Sequence, residues 1–512
     1  MMLKSTLKST LLVTIAFVLL RISGFIREMV TAAIYGADII TDAFFVAISI
    51  PEILLSGAAG AICTVFIPQY QRYDGDKEQF FSNIVNLLAL LSLLLSFIVT
   101  LKPQTLVFLF SSQLDSAAFG LAASFLRVII WTSMPILLTA MFRSYLQIHG
   151  AFFVAQLAML CNNLFIIIGI VGSYATGNLS FIPAGTVFGA IMYMVILMAL
   201  IKKQGFKYQL YINTKDDTIK EMLHLLAPLM LSISVGELNQ IISRNFASSL
   251  AVGSISALNY AAKIQSLFVS VIGVSIITVM YPKMSEMANQ GNIKQLHSHV
   301  LQYLHKLLPI LLPIAAAIII LAEPIVKILF ERGAFTLEDT RTTVECLRMY
   351  SFGIIFVNIF PFLVKVFHSM RDTKTPAVIS VISLCVTIVL NAILIGPIRH
   401  MGLALATSLS SLIMTCLLLF AIRKRFGNLG LMDMKTEWLK ILGATVVTGF
   451  VIWQGFRILP VLSGGTAQCF FLTAALGIMG ATVYILLHFI LGTMFIKDCV
   501  KMVCRFLSEK SK

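Results

Sequence analysis

Residues 11–35 read LLVTIAFVLLRISGFIREMVTAAIY, an apolar stretch of membrane-spanning length that nevertheless contains Arg21, Arg27 and Glu28. The next apolar stretch, TDAFFVAISIP at 41–51, opens with Asp42. Charge at membrane depth is costly, and it persists mainly where it lines a hydrated cavity, pairs internally or meets a charged substrate. Two arginines in one spanning segment therefore predict a cation-lined chamber that handles an anion.

The composition of the whole chain indicates a polytopic membrane protein. Of its 512 residues 58% are hydrophobic and only 12% are charged, whereas soluble domains are about 25% charged. The formal charge of +15 falls largely in alternate loops and in the tails, which is typical of cytoplasmic faces. We interpret this positive charge as a determinant of membrane orientation that also attracts anionic lipids. We therefore expect no nucleic-acid partner.

The apolar runs predict an all-α fold. A spanning helix needs about 20 apolar residues, and counting such runs gives about fourteen helices. Their predicted spans are 10–35, 43–68, 83–101, 119–142, 155–174, 183–201, 223–250, 257–281, 301–321, 346–367, 377–395, 402–422, 439–458 and 469–491.

The basic residues predict the orientation. An even number of spans puts both termini on one side, and the positive-inside rule marks that side as cytoplasmic. We therefore expect a multi-pass membrane protein with both termini on the cytoplasmic side. The supporting residues are Lys202, Lys203, Lys207, Lys215 and Lys220, then Arg423, Lys424, Arg425, Lys435 and Lys440, and in the tail Lys497, Lys501, Arg505, Lys510 and Lys512.

An internal repeat predicts two parallel six-helix halves, which in transporters commonly rock about a central site. Three positions recur at the same spacing: Arg27 with Arg244, Gly36 with Gly253, and Asp42 with Asn259. Each copy then runs as an apolar helix to a terminal proline, Pro68 or Pro282. The predicted organisation is an N-terminal lobe at 1–215, a C-terminal lobe at 216–430, and two last helices with a basic tail at 431–512.

The charges of the first helix are the leading candidates for a binding site. Arg21, Gly24 and Glu28 share one helix face, so Glu28 is expected to neutralise Arg21 when the cavity is empty. Arg27 points elsewhere, towards the chamber or towards Asp42. The alternative is that these arginines snorkel to an interface.

The second half again places charge in apolar helices, at Glu237, Arg244 and Lys263. Arginine binds a pyrophosphate bidentately and lysine binds it as a point charge, so both residue types suit such an anion. For Lys263 a purely structural role is equally compatible with its position. Glu28, Arg244 and Glu237 are expected to form gating ion pairs.

Ser243, Thr387, Asn391 and Thr407 form a candidate monovalent-cation site with oxygen ligands. Ordinary hydrogen bonding between helices is the alternative, since the cluster contains no carboxylate. The eight cysteines are scattered, so we expect neither a metal site nor disulfides, and no catalytic constellation is present. Thr336 and Asp339 are expected to form a capping box at a helix start.

Several long motifs resemble the MurJ/MviN family, the lipid II flippases of the multidrug/oligosaccharidyl-lipid/polysaccharide superfamily. The resemblance covers essentially the whole chain. The motifs are LRISGFIREMVTAAIYGADIITDAFFVA at 20–47, ISALNYAAKIQ at 255–265, LFERGAFT at 329–336, RDTKTP at 371–376 and LNAILIGPIRHMGLALATSL at 390–409.

The resemblance implies fourteen helices, twelve of them in two lobes around a V-shaped cationic cavity and the last two forming a groove for the polyprenyl tail. It implies that Arg21, Arg27 and Asp42 match essential family positions. We expect these residues and Lys263 to form the substrate-binding site, with Arg21, Arg27 and Lys263 on the pyrophosphate. Asp42 and Glu28 are expected to re-pair with the basic residues and help release. Two departures stand out: family arginines are absent after Pro51, where only Glu52 is charged, and Lys263 stands where arginine is usual.

The expected function is transport of the undecaprenyl-pyrophosphate-linked peptidoglycan precursor, lipid II, from the inner to the outer leaflet by alternating access. No cofactor is expected beyond a coupling monovalent cation or the membrane potential. The alternatives are a flippase for another polyprenyl-linked glycan, a cation-coupled drug exporter of the same superfamily, and a scaffold in the cell-wall synthesis machinery.

Overall fold

The structure is a computed structural model that describes residues 2–215, 217–290, 292–370, 372–427, 435–462 and 464–497. The described residues form α-helices joined by turns, one short 3₁₀ segment and one extended linker, with no β-strand among them. Most of the predicted basic tail lies outside the described residues.

Seventeen helices follow one another in the described chain. Their bounds are α1 Met2–Tyr35, α2 Ile39–Arg72, α3 Lys77–Leu101, α4 Pro103–Phe110, α5 Ser116–Ile129, α6 Ser133–Ile148, α7 Phe152–Thr176, α8 Phe181–Lys203, α9 Asp217–Ala247, α10 Ser254–Asn289, α11 Ile293–Ile320, α12 Ala322–Phe330, α13 Leu337–Phe352, α14 Ile354–Ser369, α15 Lys374–Phe426, α16 Lys435–Ile458 and α17 Thr466–Ile490.

The predicted spans fall almost entirely on helical residues, which confirms the all-α fold class. Two of them are divided: 119–142 between α5 and α6, and 346–367 between α13 and α14. Two predicted spans lie within α15, which is interrupted by non-helical backbone at Ile398 and Arg399 directly after Pro397. Among the described helices, nine are long and apolar enough to cross a membrane, or ten if the bent pair α13 and α14 is one span. The exact number of fourteen spans stays a prediction.

The chain divides into two compact units. Unit 1 comprises Met1–Asn259 with Arg332–Asp339, and unit 2 comprises Tyr260–Glu331 with Thr340–Lys512. The first helical residues of α10 and the turn before α13 therefore belong with the N-terminal helices. The predicted lobe boundaries, which follow the sequence repeat, stay a prediction.

Unit 1 has an aromatic-rich core between α2, α3, α6 and α8. The ring of Phe81 lies 5.7 Å from that of Phe66 and 4.7 Å from that of Tyr145. Large aromatic rings contribute strongly to the packing energy of a core when they are buried. This core fixes α2, whose first turn carries Asp42.

In unit 2, the last two helices pack against α11 and α12 through a small apolar cluster that includes Leu321, Ile452 and Leu476. Lys327 on α12 donates to the Leu462 carbonyl at 2.7 Å. The pair α16 and α17 is thus attached to the body of unit 2 by apolar packing and one charged hydrogen bond.

Candidate functional site

The charged centre of α1 is an ion pair between neighbouring residues. Arg27 donates through Nη2 to Glu28 Oε1 at 2.8 Å, and the two side chains are 16% and 1% exposed. We expected Glu28 to neutralise Arg21, its neighbour on the same helix face. The long arginine side chain instead bends round the helix to reach the adjacent residue.

A neighbouring helix positions this ion pair. Asn163 on α7 accepts from Arg27 Nη1 at 3.4 Å and donates to the Ser23 hydroxyl at 2.8 Å. Asn163 is itself buried. The amide therefore links two successive turns of α1 and holds the guanidinium group against α7.

Arg21 lies two turns before Glu28 and its side chain is exposed. Glu52 on α2, the charged residue at the position where family arginines are missing, is also exposed and acts electrostatically on Arg27. In unit 1 the region around Arg27 thus combines two arginines with two carboxylates, one of them fully buried.

Asp42 in the first turn of α2 is a buried helix cap. Its carboxylate is 3% exposed and accepts from Gly253 N at 2.7 Å, Ser256 N at 2.8 Å and the Ser256 hydroxyl at 2.5 Å. A carboxylate at a helix N-terminus satisfies free backbone N–H groups and favours the helix dipole. Asp42 therefore fastens the start of α10 to α2.

Glycines with positive φ surround this cap, and we call this contact the glycine turn cluster (Gly36, Gly253 and Gly333). Their φ angles are +64°, +87° and +61°. A Cβ on Gly36 would lie 2.6 Å from the Ala334 carbonyl oxygen, and one on Gly253 or Gly333 would overlap the carbonyl of Ala37 or Ala33. Only glycine permits such close backbone contact in this conformation.

The segment before α13 completes the cluster. The Ala334 N–H donates to the Ala33 carbonyl at 2.8 Å, which joins this segment to the end of α1. Thr336 N donates to Asp339 Oδ2 at 2.8 Å and Asp339 N to the Thr336 hydroxyl at 3.3 Å. The predicted capping box is thus confirmed.

Arg244, the repeat counterpart of Arg27, lies on α9 and makes a different contact. Its Nη1 donates to the backbone carbonyl of Phe45 on α2 at 2.6 Å, one turn beyond Asp42. Glu237, also on α9, accepts from Gln240 at 2.8 Å. Within unit 1, α2 is therefore held by charged groups at both Asp42 and Phe45.

Lys263 lies on the part of α10 that belongs to unit 2 and is half-buried. Two residues later, Gln265 donates to the Tyr350 carbonyl at 2.6 Å, which joins α10 to α13. Because Lys263 and Arg27 belong to different units, the shared chamber predicted for them stays a prediction.

The candidate cation ligands also fall in both units. Within unit 2, Thr387 donates to Ser410 at 3.0 Å and Thr407 donates to the Leu403 carbonyl at 3.0 Å, while Asn391 is fully buried. Ser243 belongs to unit 1. These contacts are of the kind expected if the residues serve ordinary hydrogen bonding and not cation binding. The cation site stays a prediction. Among the described residues no group of three His, Cys, Asp or Glu is arranged to hold a metal ion.

Three contributors to the site were missed in the sequence. Asn163 and Ser256 are ordinary polar residues of apolar helices, and no local pattern shows that they face Arg27 and Asp42. In the sequence, Glu52 stands out only as a departure from the family pattern. The available signal was the pairing of polar residues with buried charges, since a buried charge requires partners.

Nine to ten membrane-span candidates among the described helices, together with the buried Arg27–Glu28 pair in α1, are typical of a polytopic membrane transporter. The chain belongs to the family described as lipid II flippase MurJ, whose family model matches residues 31–468.

Curated relatives agree with this assignment. A probable lipid II flippase MurJ of Thermotoga maritima is 28% identical over 79% of this chain and 83% of its own length. One of Vibrio cholerae is 27% identical over 96% of this chain and 97% of its own length. The lipid II flippase MurJ of Burkholderia cenocepacia is 27% identical over 91% of this chain and 95% of its own length.

Solved structures give the same fold. A structure titled as lipid II flippase MurJ in an inward closed conformation matches with a TM-score of 0.80 and 27% identity, covering 96% of this chain and 100% of that chain. An inward-facing multidrug resistance MATE family transporter matches with a TM-score of 0.66 at 14% identity, covering 80% of this chain and 94% of that chain. The second likeness concerns the fold alone.

Proposed function

We propose that this chain is a lipid II flippase, which moves the undecaprenyl-pyrophosphate-linked peptidoglycan precursor from the inner to the outer leaflet of the bacterial cytoplasmic membrane. Membership of the MurJ family supports the substrate. The observation that carries the proposal is the Arg27–Glu28 pair on α1, because a buried ion pair in a spanning helix is costly unless its charge is used.

In this proposal Arg21, Arg27 and Lys263 bind the pyrophosphate. Arg27 offers a guanidinium that matches phosphate oxygens bidentately, and its pairing with Glu28 stabilises the charge while no substrate is bound. Substrate phosphate would compete with the Glu28 carboxylate for the same donors. Glu28 and Asp42 would then favour release by re-pairing with the basic residues, and the nearby Glu52 would add to the negative charge around Arg27.

Asp42 acts in the gating step of the proposed cycle. Re-pairing of Asp42 with a cation requires it to leave Gly253 and Ser256, and the N-terminus of α10 then loses its cap. Binding and release are thereby coupled to the glycine turn cluster. Arg244 and Glu237 on α9 would take part in the same gating step through ion pairs near the contact of Asp42 with α10.

A membrane potential that is negative inside favours outward movement of an anion. The energy for transport would come from this potential or from a coupled monovalent cation, with Ser243, Thr387, Asn391 and Thr407 as candidate cation ligands. The orientation with both termini inside, the polyprenyl groove at the last two helices and contact with the cell-wall synthesis machinery belong to the same proposal.

Depletion in the native cell tests the substrate. After depletion, lipid-linked precursors are extracted and their exposure on the outer leaflet is measured with a membrane-impermeant probe. We expect lipid II to accumulate on the inner leaflet, and re-expression of the native chain, but not of an Arg27→Ala variant at equal abundance, to restore its export.

Normal export of lipid II with a different polyprenyl-linked glycan stalled would contradict lipid II as the substrate and favour the other glycan. Full export by Arg27→Ala would contradict the role of the α1 charge. A requirement for the protein without any change in precursor distribution would favour the scaffold.

A further inference from the structure

The connection between α8 and α9 contains an extended segment that the flippase proposal does not use. We call residues 206–213, with the sequence FKYQLYIN, the linker strap. The strap has no helical hydrogen bonds and runs across the first turns of α3 in unit 1.

Side chains of α3 hold the backbone of the strap. Asn83 donates to the Asn213 carbonyl at 2.9 Å and accepts from the Asn213 N–H at 2.8 Å. Asn86 donates to the carbonyls of Gln209 at 3.2 Å and Tyr211 at 2.9 Å. These buried amides satisfy one edge of the extended backbone much as a neighbouring strand would.

Covered and exposed side chains alternate along the strap. In a soluble protein the apolar side chains of a strand are usually the covered ones, whereas here they are the exposed ones. Gln209, Tyr211 and Asn213 are the better covered residues and lie towards α3, where the Gln209 N–H also donates to the Ser82 hydroxyl at 3.1 Å. The residues between them, Leu210 and Ile212, are 85% and 54% exposed. Successive side chains of an extended chain point to opposite sides, so the apolar side faces away from the protein.

The depth of the strap along α3 indicates what meets this apolar side. The helix exposes a nearly continuous set of large apolar side chains from Leu90 onwards, as expected of a lipid-facing surface. Asn86, which holds the strap, lies four residues before Leu90, or about 6 Å along the helix axis. That places Leu210 and Ile212 at the boundary between acyl chains and headgroups.

The charges on either side of the strap indicate which lipid. Residues 202–215 contain four lysines and no acidic residue, and all four lysines are exposed: Lys202, Lys203, Lys207 and Lys215. Two acidic residues, Asp216 and Asp217, follow Lys215 directly in the sequence, so the excess of lysine is confined to residues 202–215. In the turn before α3, Asp76 already accepts hydrogen bonds from the first turn of α3 and from Gln209. Basic residues next to a membrane surface attract anionic phospholipids.

We propose that the linker strap is an interfacial anchor, in which Leu210 and Ile212 insert into the bilayer boundary and the flanking lysines bind the phosphates of anionic phospholipids. The anchor fixes the connection between the two predicted six-helix halves at the membrane surface. It is independent of the transported substrate.

Tryptophan scanning tests the anchor in the full-length chain. Leu210→Trp is compared with Tyr211→Trp, the matched control on the covered side, in nanodiscs whose lipids carry bromine near the headgroup. The three native tryptophans provide the background. We expect strong quenching of the tryptophan at 210 and little at 211, with unfolding temperatures close to that of the native chain.

The charge dependence is tested in the same assay. Replacing anionic by zwitterionic lipid, or introducing Lys207→Gln with Lys215→Gln in anionic lipid, is expected to reduce the quenching at 210 by about twofold. Equal quenching at 210 and 211, or no quenching at 210 in either bilayer, would overturn the anchor, and the second result would favour a protein partner on the apolar side. Quenching unaffected by lipid charge and by the lysine changes would overturn the role of anionic phospholipid.

Discussion

Two buried charges of unit 1 are held in opposite ways. Asp42 is surrounded by three donors from Gly253 and Ser256 at 2.5 to 2.8 Å. Arg27 is held by one carboxylate from its own helix and by a long contact of 3.4 Å from Asn163. Asp42 thus acts in backbone architecture, whereas the guanidinium of Arg27 retains donors that a substrate can compete for.

The difference separates two tasks of a transporter. A charge that binds substrate must exchange partners at low cost, which is possible when its resting partner is a neighbouring side chain. A charge that fastens two helices must make contacts that are lost together. We therefore expect substitutions near Asp42 to affect stability and the transport cycle, and substitutions near Arg27 to affect substrate affinity.

The largest effect on stability is expected for Gly36→Ala. Gly177→Ala is the matched control, because Gly177 has φ +69° against +64° for Gly36 but has no atoms within 4 Å of an added Cβ. The positive φ costs each variant about 1–2 kcal/mol. Gly36→Ala also forces Cβ towards the Ala334 carbonyl, which adds about 1–3 kcal/mol.

Thermal unfolding of the purified variants measures this difference. Equal unfolding temperatures for Gly36→Ala and Gly177→Ala would show that the glycine turn cluster is not closely packed.

Asp42→Asn is expected to abolish lipid II export while Ser256→Ala retains most of it. The asparagine amide offers one acceptor oxygen and turns an NH₂ group towards backbone donors, so at least one buried N–H loses its partner at about 1–3 kcal/mol. Ser256→Ala removes only the hydroxyl donor. Lipid II export is measured for both variants in depleted cells at matched abundance. Normal export by Asp42→Asn would contradict the role of Asp42 as the cap of α10.

Asn163→Ala tests whether Asn163 positions the guanidinium group of Arg27 for substrate binding. Loss of one long hydrogen bond should weaken lipid II binding by about two- to tenfold through poorer positioning of the guanidinium. Asn162→Ala is the control, because Asn162 lies against Gly189 on α8. Binding to the purified variants measures the effect, and equal affinities for both would exclude a positioning role of Asn163.

The smallest effect is expected for an exposed cap, Asp76 at the start of α3. The hydrogen bond from the Gln79 N–H lowers the pKa of the Asp76 carboxyl below its ordinary value of 3.8. Since the folded pKa is the lower one, the stabilisation is complete above the unfolded pKa and disappears as pH falls through the folded pKa.

Unfolding temperatures of the native chain and Asp76→Asn should therefore differ slightly at neutral pH and converge in acid. A difference that grows on acidification would contradict the sign of this linkage.

The sequence predicted those features whose causes are local. Apolar runs located the helices, the spacing of Gly36 and Gly253 located two equivalent turns, and Thr336 with Asp339 located a capping box. It did not predict the partners of Asp42, which are 211 and 214 residues away, because long-range contacts leave no periodicity in the chain.

The partner of Glu28 shows a second limit. Helix geometry predicts which Cβ atoms share a face, and by that rule Arg21 is the neighbour of Glu28. The flexible side chain of Arg27 reaches Glu28 from the next residue, so side-chain length overrides the face assignment.

Lipid II binding by Arg27→Ala and Asp42→Asn, measured side by side on the purified protein, tests the division between a binding charge and a fastening charge most directly. We expect Arg27→Ala to lose at least about tenfold in affinity, because a charge-assisted hydrogen-bond donor is removed. Asp42→Asn should bind lipid II like the native chain. Native affinity in Arg27→Ala together with lost affinity in Asp42→Asn would contradict this division.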